Sequence, residues 1–250
     1  LTKKQVDIQN FPFCTIEPNV GIVEVPDARL NKLADFSRSR KIIPAAIEFI
    51  DIAGLVKGAS EGEGLGNQFL ANIREADAIL EVVRAFEDEN IIHVNGRPAP
   101  ESDAEIVMME LILKDLETAQ KHSPKVEKRV KAQEKEALAE LTFLQKLLPW
   151  LEAGKAAKDL PTDEKERLIL KNLSLLTAKP FLYLINSSSE KTNVKYPETL
   201  KPALEIDIKL ENELSELAPD EMMQMRGGLA QTKNNIDELI SACYTLLGLE

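Results

Sequence analysis

The residues best suited to chemistry lie in one glycine-rich stretch, Asp51–Gly66, which follows a mostly apolar run, Ile47–Ile50. A run of this kind predicts a buried β-strand, so Asp51 stands at a strand end. A carboxylate there can hold Mg²⁺ through water, and the amide of Gly54 can donate to a terminal phosphate. The pattern D-x-x-G alone is common by chance, but five glycines within sixteen residues behind a strand are much more specific. The stretch therefore predicts a sensor of a metal-bound phosphate.

The residue after Gly54 bears on how such a site would hydrolyse a nucleotide. Many GTPases carry Gln here to orient the attacking water, whereas this chain has Leu55. A leucine side chain neither donates nor accepts a hydrogen bond, so hydrolysis needs another group or a partner. His93 is our candidate, because imidazole titrates near neutral pH and can both donate and accept. A structural imidazole in a loop is the alternative.

An α/β sheet must position these residues. A strand, a helix and a second strand in succession predict a parallel sheet with a right-handed crossover. The sheet is expected to resume with a buried strand late in the chain and to end with an amphipathic helix. The predicted strands are Gly21–Pro26, Ala46–Ile50, Ala78–Arg84, Ala178–Asn186 and Ala203–Ile208, and the predicted helices beside them are Asn67–Ala76 and Ile236–Leu247.

The composition changes near Asp103. From there to Leu151 glycine is absent, and leucines recur at helical spacing among charged residues, which predicts two long helices packed as a hairpin. We expect Ser123–Pro124 to break the run and Thr162 to cap a further helix. A solvated helical insertion explains this region, and a partner-binding arm is compatible with it. The predicted domains are residues 1–102 and 173–250, which together form a nucleotide-binding domain, and a helical insertion over 103–172.

The overall charge narrows the class of partner. A net charge of −11 over 250 residues disfavours a generic nucleic-acid coat, because phosphate binding needs a basic face, although local patches such as Lys125–Lys131 are compatible with it. No apolar run reaches the roughly 18 residues of a membrane span, and no signal peptide opens the chain. Cys14 and Cys243 leave a disulfide open, but reduced thiols in a cytosolic protein are favoured. We expect neither a membrane nor a specific DNA sequence as partner.

Five segments together resemble a known family: Asn10–Asn19, Asp51–Gly66, Arg84–Asp88, Ile92–Val94 and Leu176–Pro180. They are similar, in order and over nearly the whole chain, to the Obg-like ATPase family, also called YchF. The resemblance implies an α/β P-loop NTPase of the translation-factor class, with helices on both faces of a mainly parallel sheet, a coiled-coil insertion and a TGS domain after it. It also implies a protein that binds Mg²⁺ and ATP, with GTP less favoured, and that associates with the ribosome or its large subunit. We expect this protein to be a cytoplasmic monomer.

The resemblance assigns roles to several residues. Thr15 lies in the first matching segment, from which a threonine hydroxyl coordinates Mg²⁺ in such switches; a surface-turn threonine is the alternative. Asp51 is the second metal contact, through water, and Gly54 senses the γ-phosphate. The hydrophobic residue at Leu55 is also a family trait, and His93 lies in a family-like segment.

The base-recognition loop departs from the family pattern. A guanine reader is Asn-Lys-x-Asp after a strand, whereas the family usually has Asn-x-x-Glu and reads adenine. Here Ser189 takes the fourth position and Glu190 follows it, so either the loop carries one extra residue or the glutamate contact is lost. Guanine is disfavoured either way. The predicted nucleotide-binding residues are Asn186, Ser187, Ser188, Glu190 and Ile208, while Asp207 receives no role.

The phosphate cradle G-x-x-x-x-G-K-[ST] is absent from the 250 residues. That loop supplies the amides and the lysine that bind the β- and γ-phosphates. In the family it precedes a segment like Leu1–Lys4, so we expect the chain to be a fragment that binds nucleotide poorly alone. Two alternatives stay open, a degenerate module that binds without hydrolysis and a GTPase of the related Obg class.

Overall fold

The chain forms two compact units. The structure, a computed structural model, describes residues 19–52, 73–93, 96–188, 200–228 and 235–249. One unit, here the β unit, combines residues 1–53, 80–100 and 182–250, and the other, the helical unit, combines residues 54–79 and 101–181. The domain bounds expected from the sequence, with an insertion over 103–172, stay a prediction.

The β unit begins with an antiparallel pair. Strand β1 (Asn19–Glu24) pairs with β2 (Ala46–Asp51), with Val23 opposite Ile47, and α1 (Arg29–Ser37) lies between them in the chain. Val23 and Ile47 are buried while Glu24 and Ala46 beside them are exposed, which is the alternation of a half-buried strand.

Three further strands form a parallel sheet in the order β3 (Ile79–Arg84), β4 (Phe181–Asn186), β5 (Ala203–Ile206). The amide of Ile79 donates to the carbonyl of Pro180, and that of Ala85 donates to the carbonyl of Asn186. Both bonds advance six residues on each strand, so β3 and β4 run parallel; β4 and β5 also pair parallel. β4 is buried along almost its whole length, as expected for a central parallel strand.

Both sheets and the last helix contribute to one hydrophobic core of the β unit. The helices that follow β5 are α5 (Ile208–Ser215), α6 (Pro219–Gly228) and α7 (Asn235–Leu246). Cys243 is a free thiol in this core, and burial raises its pKa to about 11. The buried members of the core are Val23, Val25, Ile47, Leu182, Leu184, Ile206, Leu239, Ile240 and Cys243.

A buried ion pair joins the three helices of the β unit. The guanidinium of Arg226 on α6 donates to both carboxylate oxygens of Glu211 on α5, at 3.1 and 2.6 Å. Asn235, the first residue of α7, donates to the same carboxylate at 2.8 Å. Because Glu211 is 3 % exposed and Arg226 8 %, the bidentate geometry and the third donor are what make burial of these charges tolerable.

The helical unit is built on a long antiparallel pair. Helix α2 (Pro100–Lys131) and α3 (Ala137–Glu152) are followed by α4 (Glu164–Asn172) and by two short 3₁₀ turns, Ala157–Asp159 and Leu176–Ala178. Ala119, Val126, Ala137, Leu144 and Leu147 are fully buried in its core. The expected helical hairpin is therefore present.

The predicted break at Ser123–Pro124 is wrong, because α2 continues through Pro124 to Lys131. A proline inside a helix removes one backbone donor and strains the preceding turn. Ala119 and Val126 on either side of it are fully buried in the same core, so packing holds the helix together across the proline. Tertiary burial has here overridden local propensity.

Two further boundaries differ from expectation. Asp163, not Thr162, caps α4: its Oδ1 accepts from the amide of Glu166 at 2.8 Å, and Glu166 Oε2 accepts from the amide of Asp163 at 3.0 Å. This reciprocal pair is a capping box. The last strand ends at Ile206 rather than Ile208, because Asp207 caps α5 through its Oδ1 and the amide of Leu210 at 2.9 Å.

A buried carboxylate fastens α2 to the segment that precedes β4. Asp115, 1 % exposed, accepts from the amides of Leu176 and Thr177, both at 2.7 Å, and from the Thr177 hydroxyl at 2.6 Å. Two residues later, Lys179 Nζ donates to the carbonyls of Arg74 and Ala76. Residues 73–75 are helical, so Lys179 satisfies orphan carbonyls at the end of a helix, as a cation at a helix C-terminus does. The Leu176–Pro180 segment thus ties three parts of the helical unit together.

Candidate nucleotide site

Asn186 joins the carboxyl ends of the three parallel strands. Its carbonyl accepts from the amide of Ala85 after β3 at 2.8 Å, and its side-chain Oδ1 accepts from the amide of Ile208 after β5 at 3.3 Å. The carboxyl ends of parallel strands are where open α/β sheets bind ligands. Asn186 is therefore the residue around which a ligand site at this edge would be built.

The residues beside Asn186 are also held by the sheet. Ser187 is 7 % exposed, and its amide donates to the carbonyl of Ile206 at 3.1 Å. Ile208, 37 % exposed, is the first residue of α5 and gives its amide to Asn186. Asp207, which received no role from the sequence, is the N-cap of that helix. The structure therefore brings Asn186, Ser187 and Ile208 together, while their contact with a base stays a prediction.

Arg84, the last residue of β3, organises the loop that carries His93. Its guanidinium donates to the carbonyls of Phe86, Asp88 and Ile91, at 3.0, 3.2 and 3.1 Å. The guanidinium carbon also lies 4.7 Å from the centre of the Phe86 ring, a cation–π contact. An arginine can satisfy three carbonyls at once because its five donors form a rigid planar fork.

His93 follows the last of those carbonyls by two residues and is partly exposed. Its own carbonyl accepts from the amide of Gly96 at 3.0 Å, and Gly96 has φ of 82°, a left-handed conformation that glycine adopts without strain. The described part of the loop is thus held by Arg84 before His93 and by the bond from the Gly96 amide to the His93 carbonyl. The sequence did not single out Arg84 as the organiser, although a charged residue at the end of a strand, followed by Phe, was visible in the Arg84–Asp88 segment.

Asp51 ends β2 as expected, opposite Asn19 of β1, and its side chain is exposed. An exposed carboxylate at a strand end can serve a hydrated cation. Among the described residues no group of three or more His, Cys, Asp or Glu side chains is placed to hold a metal ion. The other predicted site residues, Thr15, Gly54, Leu55 and Glu190, lie outside the described residues, and Ser188 is the last described residue before the gap that begins at Ser189.

Among the residues that the structure describes, no helix combines the length and the apolar character needed to cross a membrane.

The chain is similar to known proteins over its whole length. A family described as "50S ribosome-binding GTPase" matches residues 1–114. "Ribosome-binding ATPase YchF" of Bacillus subtilis (strain 168) is 43% identical over 261 residues, which covers 100% of this chain and 71% of that protein. The protein of the same name from Escherichia coli O157:H7 is 41% identical over 259 residues, with the same coverage.

A solved structure agrees with the sequence matches. The structure of the Schizosaccharomyces pombe YchF GTPase has a TM-score of 0.76 and 33% identity to this chain, covering 95% of this chain and 68% of that one. These matches confirm the expected fold class, an α/β P-loop NTPase fold with parallel strands and several helices. Since identity above 40% extends over the entire chain, the chain belongs to the YchF family.

Proposed function

We propose that the protein is a Mg²⁺-dependent switch that hydrolyses ATP in preference to GTP and associates with the ribosome as a cytoplasmic monomer. The observation that carries the proposal is the junction at Asn186, which links the carboxyl ends of β3, β4 and β5. The name of the relatives, ribosome-binding ATPase, and the description of the matching family, 50S ribosome-binding GTPase, support the activity class and the ribosome as partner. One names ATP and the other GTP as the substrate, so the preference for one base must be argued from the residues of this chain.

The chemistry of the loop after β4 favours adenine. Guanine presents two adjacent donors, N1–H and the N2 amino group, which a carboxylate at the fourth loop position would accept. That position is Ser189, whose hydroxyl offers a single oxygen and no charge. The side chain of Asn186 has its oxygen engaged with Ile208, and its Nδ2 is a donor suited to the ring nitrogen N7. Because both purines have N7, Asn186 supports purine binding, and the missing carboxylate supports adenine.

Magnesium fits the residues that are available. Mg²⁺ keeps several waters and is usually bound by one or two protein oxygens together with substrate phosphates. Asp51, exposed at the end of β2, would hold such an ion through water, and Thr15 would provide a hydroxyl. When bound, the ion would neutralise charge that develops on the phosphates. Two oxygen donors are enough for this kind of site.

We assign hydrolysis to His93 because Leu55 cannot orient water. A general base contributes about 10²- to 10⁴-fold to rate, and an imidazole near neutral pH can serve as one. The support from the structure is that the loop before His93 is ordered by the three bonds from Arg84. Arg84 would act as a positioning residue for this loop rather than as a catalytic group.

The proposal is tested on the full-length protein expressed from the complete gene. His93→Ala is expected to lower kcat about 100-fold or more while the Kd for ATP stays within about twofold. Ile92→Ala, which shortens the neighbouring side chain, 72% exposed, is the matched control and should leave kcat unchanged. Unchanged turnover in the histidine variant would remove His93 from the mechanism.

Competition between ATP and GTP for the same protein tests the proposed preference for adenine. ATP is expected to bind more tightly, and Ser189→Asp should shift the preference toward GTP because it restores the carboxylate. Equal affinities in the wild type would contradict the assignment of adenine. No nucleotide binding at all would instead favour a partner-binding module of the same fold.

A further inference from the structure

One face of α2 is lined with polar and charged side chains over three turns. Its residues recur at helical spacing, so they project from the same side of the helix. With Arg74 and with Asn172 and Leu173 at the end of α4, they enclose a groove of about 380 Å³ within the helical unit. The α2 residues are Lys114, Glu117, Thr118, Lys121, His122 and Lys125.

The groove concentrates positive charge in an acidic chain. Four cationic side chains line it, those of Arg74, Lys114, Lys121 and Lys125, against the single carboxylate of Glu117, whereas the whole chain carries a net charge of −11. The imidazole of His122 is directed to another carboxylate, Glu140, at 2.6 Å. The lining therefore carries more positive than negative charge although the chain as a whole is acidic, which favours an anion at this point.

The carboxylate of Glu117 neutralises part of the positive charge of the groove. Its Oε2 lies 2.6 Å from Lys114 Nζ, and its Oε1 is paired with Lys121. These bonds from Lys114 and Lys121 hold the pKa of Glu117 at about 2. A single carboxylate is thus shared by two ammonium groups, and the remaining charge of the groove is uncompensated by its own lining.

The floor and wall of the groove offer fixed donors as well as charge. Arg74 Nη2 donates to Thr118 Oγ1 at 2.8 Å, which holds the guanidinium against α2. The side chain of Lys114 is only 12% exposed, so this ammonium is held within the wall rather than extended into solvent. Guanidinium and ammonium groups at fixed positions suit phosphate, which accepts several charge-assisted hydrogen bonds at once.

We propose that this groove is an anion site that takes a phosphate group, with Glu117 as the internal anion that the phosphate displaces. The lining of the groove includes none of the residues assigned to the proposed nucleotide site, so this proposal does not depend on the proposed hydrolysis. The phosphate can come from a small phosphorylated molecule or from an RNA backbone, since the recognising chemistry is the same.

The experiment measures binding of two probes to the full chain at several salt concentrations. Inorganic pyrophosphate, followed by calorimetry, represents the small source, and a ten-nucleotide single-stranded RNA of mixed sequence, followed by fluorescence anisotropy, represents the backbone. Lys121→Gln/Lys125→Gln is expected to weaken binding about tenfold or more, and with RNA to reduce the slope of log K against log salt by about 1.4, since each phosphate contact on a single strand contributes about 0.7.

Two further variants make the result specific to the groove. Lys135→Gln/Lys165→Gln changes net charge by the same amount at two exposed lysines outside the lining, and should change affinity less than about twofold, since surface charge at a distance is screened. Glu117→Gln should tighten binding, because it removes the competing carboxylate. Far-UV circular dichroism and Trp150 fluorescence check that each variant is folded.

Each result of the binding experiment either supports or overturns the proposal. Groove-dependent binding of both probes supports a general phosphate site, and groove-dependent binding of RNA alone assigns the source to a nucleic-acid backbone. The proposal is overturned if neither probe binds, if the two double variants weaken binding equally, or if Glu117→Gln fails to tighten it. None of these results depends on hydrolysis, so a failure here leaves the nucleotide proposal intact.

Discussion

Two carboxylates with buried oxygen atoms, one in each unit, differ in how that burial is compensated: Asp115 is 1% exposed, and Glu81 is a partly buried residue whose Oε2 is buried. Asp115 in the helical unit accepts three hydrogen bonds, from two amides and a hydroxyl. Glu81 on β3 in the β unit has, among the described residues, no hydrogen-bond partner for its Oε2. Burial raises the pKa of both, but bonds from Thr177 and Leu176 oppose the rise for Asp115, whereas burial raises the pKa of Glu81 to about 8. The comparison separates the effect of burial from the effect of missing donors.

Replacing the carboxylate of Asp115, which accepts three hydrogen bonds, should have the largest effect on the free energy of unfolding. Asp115→Asn keeps the shape but places an amide NH₂ against donors, so at least one buried group is left without a partner. Unsatisfied buried groups cost about 1–3 kcal/mol each, and more where a charge is involved, so we expect a loss of about 3–5 kcal/mol. Trp150 is the chain's single tryptophan and belongs to the helical unit, so its fluorescence during urea denaturation measures the change.

The control for this prediction is Glu105→Gln, which removes a charge from an exposed residue of the same helix. Surface changes of this kind are usually within about 0.5 kcal/mol. If the two variants unfold at the same urea concentration, the three bonds to Asp115 do not hold α2 to the segment before β4.

Replacing Glu81 should stabilise the protein, whereas replacing Asp115 should destabilise it. Its carboxyl binds a proton more readily in the folded state, where its pKa is about 8, than in the unfolded state, where it is near 4.5. The contribution of Glu81 to the free energy of unfolding is therefore fully present below about pH 4.5 and is lost as the pH rises toward 8. Glu81→Gln removes this penalty and should stabilise the chain by about 2–4 kcal/mol at pH 8, with little effect at pH 5.

Urea denaturation followed by far-UV circular dichroism at the two pH values tests this. Glu48→Gln on β2, an exposed residue, is the matched control and should show no pH-dependent gain. A gain that is equal at pH 5 and pH 8 would mean that ionisation of Glu81 is not the cause.

The comparison also shows what sequence reasoning could and could not supply. Apolar runs bounded by Gly, Pro and Asp placed all five described strands within three residues of their observed starts, because a buried strand needs such a run. Pro124 was misjudged, since whether a helix survives a proline depends on burial of Ala119 and Val126, which no local pattern reveals. Thr162 was predicted as the cap of α4 and Asp207 received no role, although aspartate is a common capping residue; the choice of Asp163 over Thr162 is made by the reach of Glu166.

The candidate site divides in the same way. The end of β4 at Asn186 followed from the apolar run before it. Its bond to Ile208 did not, because that bond depends on the register of β5 against β4. The basic groove was only partly visible: the sequence indicated a patch over Lys125–Lys131, whereas the groove uses Lys125 with Arg74, which is distant in sequence.

Arg84 provides a case in which the donor, rather than the acceptor, is removed. Arg84→Ala leaves the carbonyls of Phe86, Asp88 and Ile91 without this partner. Because these carbonyls lie near the surface, water replaces part of the loss, and we expect about 1–2 kcal/mol of local stability to be lost. Hydrogen exchange of the peptide over residues 86–93 should accelerate about tenfold. Arg97→Ala, at an exposed arginine beyond the loop, should leave exchange in that peptide unchanged, and equal acceleration by both would count against the role of Arg84.

The smallest effect, at the cap of α4, sharpens the contrast with Asp115. Asp163 also accepts from a backbone amide, that of Glu166 at 2.8 Å, but it is exposed. Water can replace a carboxylate there, so Asp163→Ala should cost only about 1 kcal/mol, the usual value for a helix cap. Thr162→Ala, one residue earlier, should cost less, because Asp163 and not Thr162 is the cap. Urea denaturation followed by Trp150 fluorescence compares both with Asp115→Asn. If the cap variant were as destabilising as the buried one, the number of donors alone would set the energy and burial would not; a ratio of about three or more shows that the same kind of bond matters more where water cannot reach it.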